Sequence, residues 1–133
     1  MTGSGARSRR KGHDFEREFC RWVRTELGLE SFGRNLKQYG TAQEGDTDPL
    51  AGYLPECKNC ARLNLKAWWG QACEQAKRKG LKPLLVYKIP RRGWRAVMPD
   101  EFAWEAGATW RYDYEYTKDV SPALLALIVR EHL

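Results

Sequence analysis

Gly45-Asp46-Thr47-Asp48-Pro49-Leu50-Ala51-Gly52-Tyr53-Leu54-Pro55-Glu56-Cys57-Lys58 is an acidic turn running into a short apolar strand that carries two charged residues. Side chains alternate along a strand, so Glu56 and Lys58 share one face while Cys57 points to the other, where a small thiol packs well. A carboxylate and an ammonium two positions apart, facing a second carboxylate from the preceding turn, can hold a divalent cation and orient a water beside it. The triplet alone carries little, because with eleven Glu and nine Lys in 133 residues Glu-x-Lys arises by chance about 0.7 times. Its weight comes from the surroundings: Asp46 ten residues upstream, glycines at 45 and 52, the β-prone Tyr53-Leu54, and a basic helical segment downstream.

Downstream, Asn64 is placed to cap a helix running to about Lys79 and ending at Gly80, with Leu65, Trp68, Trp69, Ala72, Cys73 and Ala76 as its inner face. Pro83 to Ile89 reads as a buried strand, turned by Pro90-Arg91-Arg92-Gly93 into a second strand, Trp94 to Met98. Pro99-Asp100-Glu101 opens a short helix, and the alternating Trp110 to Tyr116 reads as a half-buried strand. Ser121-Pro122 starts a last helix carrying Leu124, Leu125, Leu127, Ile128 and Leu133. Upstream, Phe15, Phe19, Trp22, Val23 and Leu27 recur at helical spacing from about 13 to Gly28, residues 31 to 37 read as the first strand, and 38 to 45 as a turn or loop. Glu16 lies on one stripe with Cys20, Val23 and Leu27, at the border of the buried face. Residues 1 to 12 are small and basic and read as a flexible arm, suited to lie along phosphates or to serve as an ordinary terminal tail.

Three of these places resemble the PD-(D/E)XK nuclease superfamily, and within it the archaeal-type Holliday-junction resolvases and the resolvase-like endonucleases of phages. Arg10-Lys11-Gly12-His13-Asp14-Phe15-Glu16-Arg17-Glu18 looks like the resolvase opening, and Asp46 with Glu56-Cys57-Lys58 looks like the metal motif. Trp68-Trp69-Gly70-Gln71-Ala72-Cys73-Glu74-Gln75-Ala76-Lys77 is similar to the helix that follows, with Pro83 to Lys88 as the next strand. Thr47 departs from the pattern, since the family's aspartate directly precedes an apolar residue; spacing favours Asp46, with Asp48 as the other choice. The resemblance implies a restriction-endonuclease-like α/β fold, a mixed sheet flanked by helices in the order helix, three strands, helix, two strands and further elements. It also implies a metal-dependent endodeoxyribonuclease leaving 5′-phosphate and 3′-hydroxyl ends. Glu16, Asp46, Glu56 and Lys58 are then catalytic, and Asp46, Glu56 and the Cys57 carbonyl, with Glu16 as a further acid, hold Mg²⁺ or Mn²⁺.

One domain, 13–133, fits the length, and 42% apolar content with six Trp can fill its core. No apolar run approaches a membrane span and the basic N-terminus lacks an apolar h-region, so a soluble intracellular protein is expected, in phage terms one acting in the host cytoplasm. Cys57-x-x-Cys60 has no second metal-ligand pair with it, so reduced, buried thiols are expected instead of zinc. A net charge of +6 suits a polyanion, and from Lys58 to Arg95 eleven Lys or Arg stand against the single acid Glu74. The expected DNA contacts are Arg9, Arg10 and Lys11 in the arm, Arg34, then Arg62, Lys66, Gln71 and Gln75 around the second helix, and Arg91 and Arg92 at the hairpin tip. Holliday junction resolution needs two cuts, hence a homodimer. Flap or single-strand cleavage, or DNA binding without catalysis, are the rival readings.

Overall fold

A computed structural model describes residues 2–34, 47–59, 61–107 and 112–133, with the side chains of 2–11 and of Trp104 outside the description. Its elements are α1 (Thr2–Leu27), β1 (Tyr53–Asn59), α2 (Leu65–Arg78), β2 (Lys82–Ile89), β3 (Gly93–Pro99), α3 (Glu101–Glu105), a 3₁₀ turn (Tyr114–Tyr116), β4 (Thr117–Val120) and α4 (Pro122–Glu131). The strands form a mixed sheet in the order β1-β2-β3-β4, with β1 and β2 parallel and the other pairs antiparallel. This is the restriction-endonuclease-like α/β architecture. Parallel β1 and β2 require a crossover, and α2 supplies it.

Alternation along each strand sorts the core into two layers. Phe15, Phe19 and Val23 of α1, with Leu125 and Val129 of α4, pack on Leu84, Val86, Ala96, Met98 and Val120. On the opposite face Trp68, Trp69 and Ala72 of α2 cover Leu85, Tyr87 and Val97. Trp94 sits against Phe15, Phe19 and Trp22 with ring centroids 6.4, 5.5 and 4.9 Å away. Such pairs add about 0.5–1.5 kcal/mol each beyond area burial, and here they fix the root of the β2–β3 hairpin to α1. The α4 start is as expected: Ser121 Oγ accepts from the Leu124 amide at 3.2 Å with Pro122 in the first turn.

Four expectations need correction. First, α1 begins at Thr2, so the segment expected as a flexible arm is helical. Its composition offers no apolar face, and the packed turns from Phe15 onward supply the nucleus from which it propagates. Second, the strand expected at 31–37 is, over its described part, a turn. The Phe32 amide donates to the Leu29 carbonyl, the Phe32 ring enters the core, and Gly33 takes φ +77°. Residues 35–46, including the expected loop, lie outside the described residues. A single strand, β1, therefore stands between α1 and α2 among the described residues, where three were expected. Third, the strand expected at Trp110 to Tyr116 is, where described, the 3₁₀ turn, because the Asp113 carboxylate accepts from the Glu115 amide and curls the chain; the strand follows at Thr117. Fourth, Asn64 occupies the α2 N-cap position without a side-chain capping bond.

Candidate active site at the basic end of the sheet

β1 is the edge strand of the described sheet, and its C-terminal end lies where α2 begins and where β2 turns into β3. Ala51 and Gly52 make the tight turn that enters it, closed by paired backbone bonds between Leu50 and Tyr53 of 2.8 and 2.9 Å. Thr47 is buried and its hydroxyl donates to the Pro55 carbonyl, fastening the acidic segment beside Glu56. Cys57 packs into the α1 layer, which leaves Glu56 and Lys58 together on the α2 face as the alternation requires.

Glu56 is only 6% exposed, and Lys58 Nζ lies 3.6 Å from its Oε1. A buried carboxylate is costly unless cations or donors compensate it, and Lys58 supplies part of that compensation. The same face continues along the register through Tyr87, paired with Lys58, and Arg95, paired with Tyr87. The Tyr87 hydroxyl donates to Asp119, and burial, followed by that bond, pushes its pKa up, so the phenol stays protonated.

Glu16 stands on α1, the helix layer into which Cys57 packs, with His13 Nδ1 3.9 Å from its carboxylate. Burial first, then the Glu16 charge, pushes the Cys20 thiol up to about 12 and Cys57 well above its ordinary value. Both thiols are therefore protonated. Asp46 and Cys60 lie outside the described residues. Asp48 is half-buried and its Oδ2 accepts from the Gly33 amide at 2.7 Å, tying the turn after α1 to the approach to β1. Among the described residues no group of three His, Cys, Asp or Glu is gathered closely enough to hold a metal ion by itself.

The expected DNA contacts fall unevenly. Arg62, Lys66, Arg91 and Arg92 are exposed and belong to the loop after β1, the first turn of α2 and the hairpin tip, all at the Lys58 end of the sheet. Gln71 is exposed further along α2, whereas Gln75 is half-buried with its Oε1 enclosed and without a hydrogen bond. Arg34 is exposed and its Nε donates to the Glu30 carbonyl at 2.7 Å. Arg9, Arg10 and Lys11 lie on the N-terminal part of α1. The sequence assigns no site role to Thr47, Tyr87, Arg95 or Asp119; only the alternation of β2 and β3 signals the face of Tyr87 and Arg95, and it does not reveal which strands are neighbours.

A mixed sheet flanked by helices, four-stranded among the described residues and with Glu-x-Lys on its edge strand there, places the protein among nucleases of the PD-(D/E)XK type. A family model described as "Phage putative PDDEXK endonuclease" matches residues 7–120, and the chain belongs to this family. No curated protein matches the sequence. No described helix is long and apolar enough to cross a membrane.

Proposed function

We propose that this protein is a divalent-metal-dependent, structure-selective DNA endonuclease that resolves four-way junctions. The observation that carries this reading is the Glu56–Lys58 pair, a buried carboxylate 3.6 Å from an ammonium on β1, which ends among Arg62, Lys66, Arg91 and Arg92. Carboxylate and carbonyl oxygens suit a hard cation: Glu56, Asp46 and the Cys57 carbonyl would hold Mg²⁺ or Mn²⁺, with Glu16 as a further acid. When bound, such a cation withdraws charge from a phosphate and lowers the pKa of a water. Lys58 donates hydrogen bonds to the attacking water or to the developing oxyanion, and the basic end of the sheet holds the flanking backbone. Asp46 is preferred to Asp48 by its spacing to Glu56, and because the Asp48 carboxylate already accepts from Gly33.

The test is incubation of the purified protein with labelled four-way junction, flap, single strand and linear duplex, with Mg²⁺ and with chelator. Paired incisions in the junction, abolished by chelator, are expected. Equal cutting of the duplex would remove the structure selectivity, preferential cutting of flaps or single strands would redirect the substrate, and binding without any cleavage would leave a DNA-binding protein on a nuclease fold.

A junction is cut at two symmetry-related positions and one chain carries one Glu-x-Lys site, so a two-fold homodimer supplies the pair. The surface assigned to the second copy is the outer face of α4, where Leu124 and Leu127 are 45% and 60% exposed beside half-buried Ile128. Leu125, Ala126 and Val129 carry the packing of the helix inward. Leu127→Glu should therefore leave the melting temperature within about 2 °C and convert a dimer into a monomer by light scattering at micromolar concentration. A wild-type protein that stays monomeric with and without junction would count against junction resolution.

A further inference from the structure

Lys58, Tyr87 and Arg95 occupy one transverse row of the sheet, through the registers Lys58 with Tyr87 and Tyr87 with Arg95. Neighbouring strands are about 4.8 Å apart, so the Arg95 Cα lies about 10 Å from that of Lys58. Asp119 of β4 stands opposite Val97, two positions along β3 from Arg95, and reaches the row diagonally. One of its carboxylate oxygens accepts from the Tyr87 hydroxyl and the other from Arg95 Nε, and its carbonyl accepts from Arg95 Nη2 at 3.5 Å. Tyr87 is buried, whereas the Arg95 and Asp119 side chains are 45% and 37% exposed. The buried phenol thus sets the carboxylate, and the carboxylate sets the guanidinium at the surface. Two of the five N–H donors of Arg95 are used in this way, which leaves part of the planar fork for an anion.

We propose that Arg95, oriented by Asp119, binds a backbone phosphate of the DNA strand that enters the Glu56–Lys58 site. The inference rests on reading that site as one that acts on DNA. Lys58 and Arg95 flank the buried Tyr87, and because each nucleotide of a strand carries one phosphate, a strand that meets Lys58 presents a further phosphate to Arg95 about 10 Å away. The surroundings favour an anion there, because Arg91 and Arg92 stand at the adjoining hairpin tip and Asp119, the acid beside Arg95, is already engaged twice. Asp119 is a positioning residue and Arg95 the contacting one.

The test uses the full chain in a Glu56→Gln background, so that DNA stays uncut, and follows fluorescence anisotropy of labelled four-way junction across a salt series. Arg95→Gln should weaken binding about five- to tenfold and lower the slope of log K against log salt by about one. Arg95→Lys should keep the slope and lose affinity a few-fold, because the charge remains and the fork does not. Asp119→Asn should weaken binding less than Arg95→Gln. Arg130→Gln, on α4, where Arg130 donates to the Glu26 carbonyl, should change neither affinity nor slope. If both Arg95 variants match the parent in affinity and slope, the Arg95–Asp119 pair is a surface tie only and the proposal fails. If the Glu56→Gln protein binds no DNA, the reading of the site fails first and takes this one with it. Melting temperatures separate unfolding from lost contact, and Arg95→Lys keeps the decision open should Arg95→Gln not fold.

Discussion

Glu56→Gln should lower cleavage at least about 1,000-fold while affinity for DNA stays within about twofold. The amide keeps the size of the side chain and loses the charge, so a cation held there loses its main ligand while the exposed arginines remain. Several kcal/mol of transition-state stabilisation are at stake in such a site, and each 1.36 kcal/mol is tenfold in rate. Single-turnover cleavage of a labelled junction measures the effect; cleavage near the wild-type rate would remove Glu56 from the site. Asp46→Asn should be comparably inactive and Asp48→Asn mild, because an asparagine oxygen can still accept from the Gly33 amide that Asp48 now holds at 2.7 Å. An inactive Asp48 variant beside an active Asp46 variant would exchange the two assignments.

Gly33→Ala should destabilise the protein by about 2–5 kcal/mol. Gly33 has φ +77°, a conformation that costs an L-residue about 1–2 kcal/mol. A Cβ there would sit 2.6 Å from Cys20 Sγ and 2.7 Å from Cys20 Cβ; the latter is fixed to the α1 backbone, so turn and helix must separate, an overpacking worth about 1–3 kcal/mol. The same turn is held by Phe32 in the core and by Arg24, whose Nη1 donates to the Phe32 carbonyl at 2.7 Å. Displacing it also strains the Asp48 tie on the approach to β1. Thermal melting should show a fall in Tm on the order of 10 °C, and an unchanged Tm would show that the turn yields freely.

What was legible in the sequence is what depends on local periodicity. The apolar stripes of α1 and α2, the continuous β-prone run of β2, the Ser-Pro start of α4 and the shared face of Glu56 and Lys58 all follow from spacing along one segment. Residues 31–34 misled because Ser31-Phe32-Gly33 offers one apolar ring that fits a strand or a core-anchored turn equally; the left-handed glycine decides, and the room it needs is set by Cys20, thirteen positions away, which leaves no space for a Cβ. At Tyr112 to Tyr116 the alternation is real, but Asp113 captures the Glu115 amide and local hydrogen bonding overrides it. The Tyr87–Asp119–Arg95 assembly depends on β4 lying beside β3, an order that no single segment encodes.

Because α1 runs unbroken from Thr2 to Leu27, the basic residues before Gly12 and the buried rings after it belong to one rod. A tether of that length would sample many positions; a helix advances about 1.5 Å and turns 100° per residue, so Phe15 sets both the height and the azimuth of every backbone position ahead of it. Such a lever is sensitive to phase as much as to reach. One residue inserted between Gly12 and Phe15 would turn backbone positions 2–11 by about 100° about the helix axis, whereas seven residues, about two turns, would restore their phase some 10 Å further out.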